Sequence, residues 1–149
     1  MRTLFLFLFA TIILTSCKKD KFTTAPQISF KSVNPDTWKK GISTPGTGPV
    51  LSLTLTDAEG DLGFIRGKDT AYVYLQNNLT NKLDSAFFPE MPITNKSNMN
   101  VTVDVLLTNF LVSSGADKTD INYFDVYVKD FAKNKSNVIK TAQPVYYIP

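Results

Sequence analysis

Along most of this chain apolar residues return at every second position, and hardly anywhere at the spacing of a helix face. Met99, Val101, Val103, Val105 and Leu107 alternate with Asn100, Thr102 and Asp104, and Leu51, Leu53 and Leu55 alternate with Ser52, Thr54 and Thr56. Phe124, Val126 and Val128 alternate with Asp125, Tyr127 and Lys129, and Ile28 and Phe30 with Gln27, Ser29 and Lys31. A period of two puts all the apolar side chains on one face of an extended strand, so each run needs a second layer to cover that face. Two further runs, Ala71–Gln76 and Leu83–Phe88, carry aromatic and β-branched residues, and the last, Val138–Ile148, is interrupted by Pro144, which suits a sheet edge or a bulge. Turn-forming clusters separate them: Asn34-Pro35-Asp36, Gly46–Pro49, Gln76–Asn78 and Ser113–Asp117. No window offers a capped helix of normal length. The pattern predicts an all-β domain over residues 26–149, with about seven short strands in two antiparallel sheets packed face to face. Leu53, Val103, Val126 and Val128 are predicted to be among its most buried residues.

The N-terminus reads differently. Met1-Arg2 leads into the apolar run Leu4–Leu14, and the small residues Thr15 and Ser16 precede Cys17. A positive start, a short apolar core and small residues at its end are the marks of a secretory signal peptide. The run falls short of the about 20 apolar residues that a bilayer core requires, which argues against a transmembrane helix with an incidental thiol. Leu14-Thr15-Ser16-Cys17 resembles the lipobox of bacterial lipoproteins. That resemblance implies that residues 1–16 are removed, that Cys17 is lipidated (palmitate among its acyl chains) and that residues 17–25 form the lipidated cysteine and a polar tether. Each buried methylene contributes about 0.8 kcal/mol, so a multi-chain anchor holds the protein on a membrane. Lys18 stands where an Asp retains many such proteins at the inner membrane, so the resemblance points to the outer membrane, with its periplasmic and surface faces both open.

Composition then removes whole classes of activity. The chain has 149 residues, one cysteine and no histidine. With Cys17 committed to lipid, no disulfide staples the fold, and packing must hold it. Zinc sites draw mainly on His and Cys, and acid–base catalysis near neutral pH most often uses His, so zinc hydrolases and Ser-His-Asp or Cys-His enzymes are excluded. The net charge of +3 is scattered apart from Lys18-Lys19-Asp20-Lys21. A nucleic-acid partner would call for a clustered basic face, so none is expected. The chain is read as a non-enzyme.

Two segments carry more information. Leu55–Gly63 places Asp57, Glu59 and Asp61 beside Gly60 and Gly63, and Val128–Asn137 contains Asp130 and Asn134 with Lys133 between them. The second resembles the Asp-x-Ala-Gly-Asn-x-Ser hairpin of bacterial immunoglobulin-like domains, with Lys133 where that pattern has Gly. Together with the lipobox, the two segments resemble small Bacteroidota outer-membrane lipoproteins that carry a bacterial Ig-like, fibronectin-III-like domain and an Asp-x-Asp/Glu-Gly-Asp-x-Gly loop. The resemblance implies an Ig-like antiparallel β-sandwich and an envelope location, and supplies no activity. In that topology the loops after the second and sixth strands lie at one end of the sandwich. Asp57, Glu59, Asp61, Asp130 and Asn134 then form a candidate Ca²⁺ site, since hard cations take six to eight oxygens and glycines let carbonyls turn inward. The alternative is a polar turn whose Asp side chains cap backbone N–H groups.

Other positions carry paired readings. Trp38 either stacks on a ligand or covers one end of the core. Tyr72, Tyr74, Tyr123 and Tyr127 either form a binding face or are cross-strand pairs that stabilise the sheet. Asp69-Thr70-Ala71 and Asp84-Ser85-Ala86 resemble a short Bacteroidota O-glycosylation motif, which makes Thr70 and Ser85 candidate acceptors. The expectation is a membrane-anchored, non-catalytic binding or adhesion module with a protein or glycan partner in the cell envelope. The alternative is a structural accessory of an envelope complex for glycan uptake or secretion.

Overall fold

The computed structural model describes residues 21–41, 47–64, 70–89, 97–115 and 117–149. Residues 1–16, read as a signal peptide, lie outside the described residues, as do Cys17 and Lys18–Asp20 of the expected tether, Gly46 and Ala116 of the turn clusters and Asp69 of one candidate glycosylation motif. Every alternating run becomes a strand: β1 (Gln27–Asn34), β3 (Val50–Asp57), β4 (Tyr72–Asn77), β5 (Leu83–Phe87), β6 (Met99–Leu106) and β8 (Phe124–Lys129). The last run is split about Pro144 into β9 (Ile139–Lys140) and β10 (Val145–Ile148). Two three-residue strands, β2 (Thr37–Lys39) and β7 (Asp120–Asn122), were not anticipated, so the described residues hold ten strands rather than about seven. Among the described residues no helix is long and apolar enough to cross a membrane.

The strands form three sheets, in the orders β1-β3-β6, β5-β4-β8-β9 and β2-β10-β7. All pairings are antiparallel except β2 with β10. In the first sheet Leu51, Leu53 and Leu55 lie opposite Val105, Val103 and Val101. In the second, Val73 and Leu75 lie opposite Val128 and Val126. Apart from Val101, which is half-buried and packs against it, these inward residues belong to one buried cluster, in which Leu53, Val103, Val126 and Val128 are all 0 % exposed, as their alternation predicts. Trp38 is half-buried and packs against that cluster, which supports the covering role.

β1 shows how the backbone corrects the pattern. Ile28 and Val33 are both buried although they lie on opposite phases of a strict alternation. The register with β3 shifts between Phe30 and Ser32, and a bulge of this kind inserts one residue and turns the following side chains over.

Candidate functional site

β3 and β8 run their inward-facing series one step beyond the last apolar residue. Leu51, Leu53 and Leu55 are followed by Asp57, and Phe124, Val126 and Val128 by Asp130. Both carboxylates are therefore carried to the rim of the core, and both are 0 % exposed. After Asp57 the chain turns sharply. Gly60, at φ 69, donates its N–H to Asp57 Oδ2 at 2.6 Å, and Leu62 returns to the core. After Asp130 the chain closes a tight turn: Asn134 donates its backbone N–H to Asp130 Oδ1 (2.7 Å) and its side-chain Nδ2 to Oδ2 (2.9 Å). Lys133 sits in the left-handed region at φ 70, a conformation that glycine adopts most readily. The strand end beyond is fastened by Ser136, whose Oγ accepts from Val128 N–H at 2.9 Å.

The two loops meet. Phe131 N–H donates to the Asp61 carbonyl at 3.0 Å, and Asp57, Asp61 and Asp130 bring carboxylate oxygens within 4.8 Å of one another. Of the five candidate ligands, Glu59 stands apart. It lies on the outer side of the turn with its side chain exposed, because the reversal at Gly60 ends the strand alternation before it. Asn134 donates its backbone N–H and its side-chain Nδ2 to the Asp130 carboxylate and so braces that residue.

Among the described residues no lysine or arginine pairs with these carboxylates; the one ion pair is the exposed Lys82–Asp84 at 3.1 Å. Burial raises the Asp57 pKa above the ordinary carboxylate value, and the Asp130 charge adds to this. Burial, with the charges of Asp130 and Asp57, pushes Asp61 up to about 6. Without a bound cation, the folded chain holds more protons here than the unfolded chain between about pH 4 and 6, so the site's contribution to stability falls as pH rises through that window. Thermal melts in chelator across this range should show the wild type losing more stability towards pH 7 than Asp61→Asn. Parallel profiles would show that the titration is not coupled to folding.

No family model, curated protein or solved structure matches this chain.

The aromatic candidates form a row on the outer face of the β5-β4-β8-β9 sheet. Tyr74 and Tyr127, opposite each other across β4 and β8, stack at 4.7 Å with 7° between ring planes. Tyr72 lies 6.2 Å from Tyr74 and 5.5 Å from Phe87, which contacts Phe64 edge-on at 6.4 Å. Lysines cover the stack: Lys135 Nζ is 4.0 Å from the Tyr127 ring centre and Lys129 Nζ 5.5 Å from that of Tyr74. Tyr123 lies apart from this row, with Lys140 over its ring at 5.4 Å. Of the candidate glycosylation sites, Ser85 is exposed on β5, and Thr70 is half-buried in a bridge with Phe64.

Proposed function

We propose that this chain is a lipid-anchored, non-catalytic binding module of the bacterial cell envelope, an Ig-like sandwich held at the outer membrane through Cys17. Two antiparallel sheets, β1-β3-β6 and β5-β4-β8-β9, whose inner faces share one buried cluster, support the Ig-like reading. The observation that carries the binding role is β5. It is an edge strand of its sheet, with Phe87 69 % and Leu83 50 % exposed. An apolar edge strand invites pairing by another chain, and native proteins usually blunt such edges. A protein partner suits this face better than a glycan. The ring faces of Tyr74 and Tyr127 that a sugar would stack on are taken up by each other and by Lys129 and Lys135. The same edge favours the second reading, a structural accessory subunit of an envelope complex. An enzymatic role for the carboxylate group is disfavoured, because Asp57 and Asp130 are fully buried from any substrate.

Two measurements test this. Cys17→Ala should move essentially all of the protein from the membrane to the soluble fraction, and mass spectrometry of the wild type should find an acylated Cys17 at the mature N-terminus. An intact Met1 would overturn the anchor. A photo-crosslinker placed at Phe87 in cells should give a discrete adduct that one at exposed Ile121 does not. Equal labelling from both positions would remove β5 as the docking edge.

A further inference from the structure

Polar side chains close the core at both ends, and the two ends differ. At one end Asn77 and Asn122 pair through Nδ2 and Oδ1 at 2.7 Å, and each also bonds to backbone, so both amides are served. At the other end stand Asp57, Asp61 and Asp130. There Oδ1 of Asp57 and Oδ1 of Asp61 are buried with no hydrogen-bond partner, and Asp57 is 0 % exposed. Buried polar atoms in native proteins are nearly always paired, and an orphan needs an explanation. Here two orphan carboxylate oxygens occur in one group of three acids that no basic side chain among the described residues neutralises.

We propose that Asp57, Asp61 and Asp130 hold a Ca²⁺ ion that clamps the 57–63 loop to the 130–134 turn. The donor set is all oxygen and contains neither His nor Cys, which selects hard cations. Two oxygens bound to one Ca²⁺ at 2.3–2.6 Å lie up to roughly 5 Å apart, so three carboxylate oxygens within 4.8 Å fit around a single ion. Mg²⁺ needs shorter bonds and stricter octahedral geometry, and gives up its waters reluctantly, so it suits the group less well. A divalent charge offsets the mutual repulsion of the three acids and gives the orphan oxygens a partner. The clamp also bears on the joint with the tether. Thr56 Oγ1 donates to the Lys21 carbonyl at 2.9 Å and Ala58 N–H to the Thr23 carbonyl at 3.1 Å, so the strand and loop that would hold the ion also seat the chain leading to the N-terminus. This site is independent of the partner proposed for β5.

The test uses the full-length protein, stripped with chelator and titrated with CaCl₂ or MgCl₂ at fixed ionic strength. For a Kd of about 0.1–1 mM, as in extracellular modules, about 5 mM Ca²⁺ should raise the melting midpoint by roughly 3–8 °C, and Mg²⁺ should raise it less. Asp61→Asn should weaken Ca²⁺ at least tenfold, whereas Glu59→Gln, outside the group, should leave it unchanged. Carbodiimide labelling of the wild type reads the site without any variant: Ca²⁺ should protect Asp61 and leave Glu59 equally reactive. No calcium-dependent shift, equal protection of Glu59, or undiminished binding by a folded Asp61→Asn would each overturn the site and leave the polar turn.

Discussion

Leu53→Ala is expected to lower the unfolding free energy by about 3–4 kcal/mol, whereas Leu83→Ala is expected to change it by less than about 0.5 kcal/mol. The residue type and the substitution are the same; only the environment differs. Leu53 is 0 % exposed at the centre of β3, with Phe30 opposite on β1 and Val103 opposite on β6. Its neighbours are held in two ladders and can collapse little into the space left behind, so a cavity term adds to the lost transfer energy. Leu83 is 50 % exposed at the start of edge strand β5 and leaves no cavity. A domain of this size is stable by only about 5–15 kcal/mol, so the first change removes a large share of the total. Urea unfolding of both variants, read by far-ultraviolet circular dichroism, checks the pair. Similar losses in both would mean that β5 packs against something in solution, or that the core does not lie between these strands.

The burial of Leu53 was legible in the amino-acid order, because alternation carries facing information directly, but the exposure of Leu83 was not. Leu83 and Phe87 alternate with Asp84 and Ala86 as inward residues would, yet it is Ala86 that packs against the core. Alternation extends further than a search for apolar residues suggests. Asp57 and Asp130 continue the phases of Leu51–Leu55 and Phe124–Val128, so their burial is written in the same period as the core. Glu59 continues that phase on paper too, and what excludes it is the reversal at Gly60, whose place in the loop depends on the hydrogen bond from its own N–H to Asp57. No residue count supplies that. The burial of Val33 was equally hidden, since a bulge leaves the composition of a strand unchanged. β2 and β7 are three residues each, too short for alternation to register, and their pairing partner β10 lies far along the chain. The meeting of the two acidic loops was legible only through topology, and the bond from Phe131 N–H to the Asp61 carbonyl that joins them involves backbone alone.

Asn122→Ala is expected to cost about 3–5 kcal/mol, as much as a large core truncation, although it removes only an amide. Asn122 is 0 % exposed and is the hub of the amide-lined end of the core. Its Oδ1 accepts from Asn77 Nδ2 at 2.7 Å and from Val112 N–H at 3.0 Å, and its Nδ2 donates to the Val112 carbonyl at 3.2 Å. Asn77 in turn donates to the Phe110 carbonyl at 3.1 Å, so the pair pins the connection leaving β6 onto the end of the opposite sheet. Deleting the amide leaves the backbone groups of Val112 and one N–H of Asn77 short of a partner, at about 1–3 kcal/mol for each group that water cannot reach. Asn122→Asp separates polarity from charge. It keeps both acceptor contacts of Oδ1 but turns a second carboxylate oxygen towards the Val112 carbonyl, where a donor is required. The new acid should therefore fold best when protonated, with its pKa raised by burial. Its stability should approach that of the wild type below the ordinary carboxylate range and fall as the pH rises towards neutrality. Amide exchange at Val112 should accelerate in both variants, in Asn122→Asp only at the higher pH. A loss below about 1 kcal/mol for Asn122→Ala, or a flat pH profile for Asn122→Asp relative to wild type, would mean that water already serves these groups and that the network does not hold the crossing segment in place.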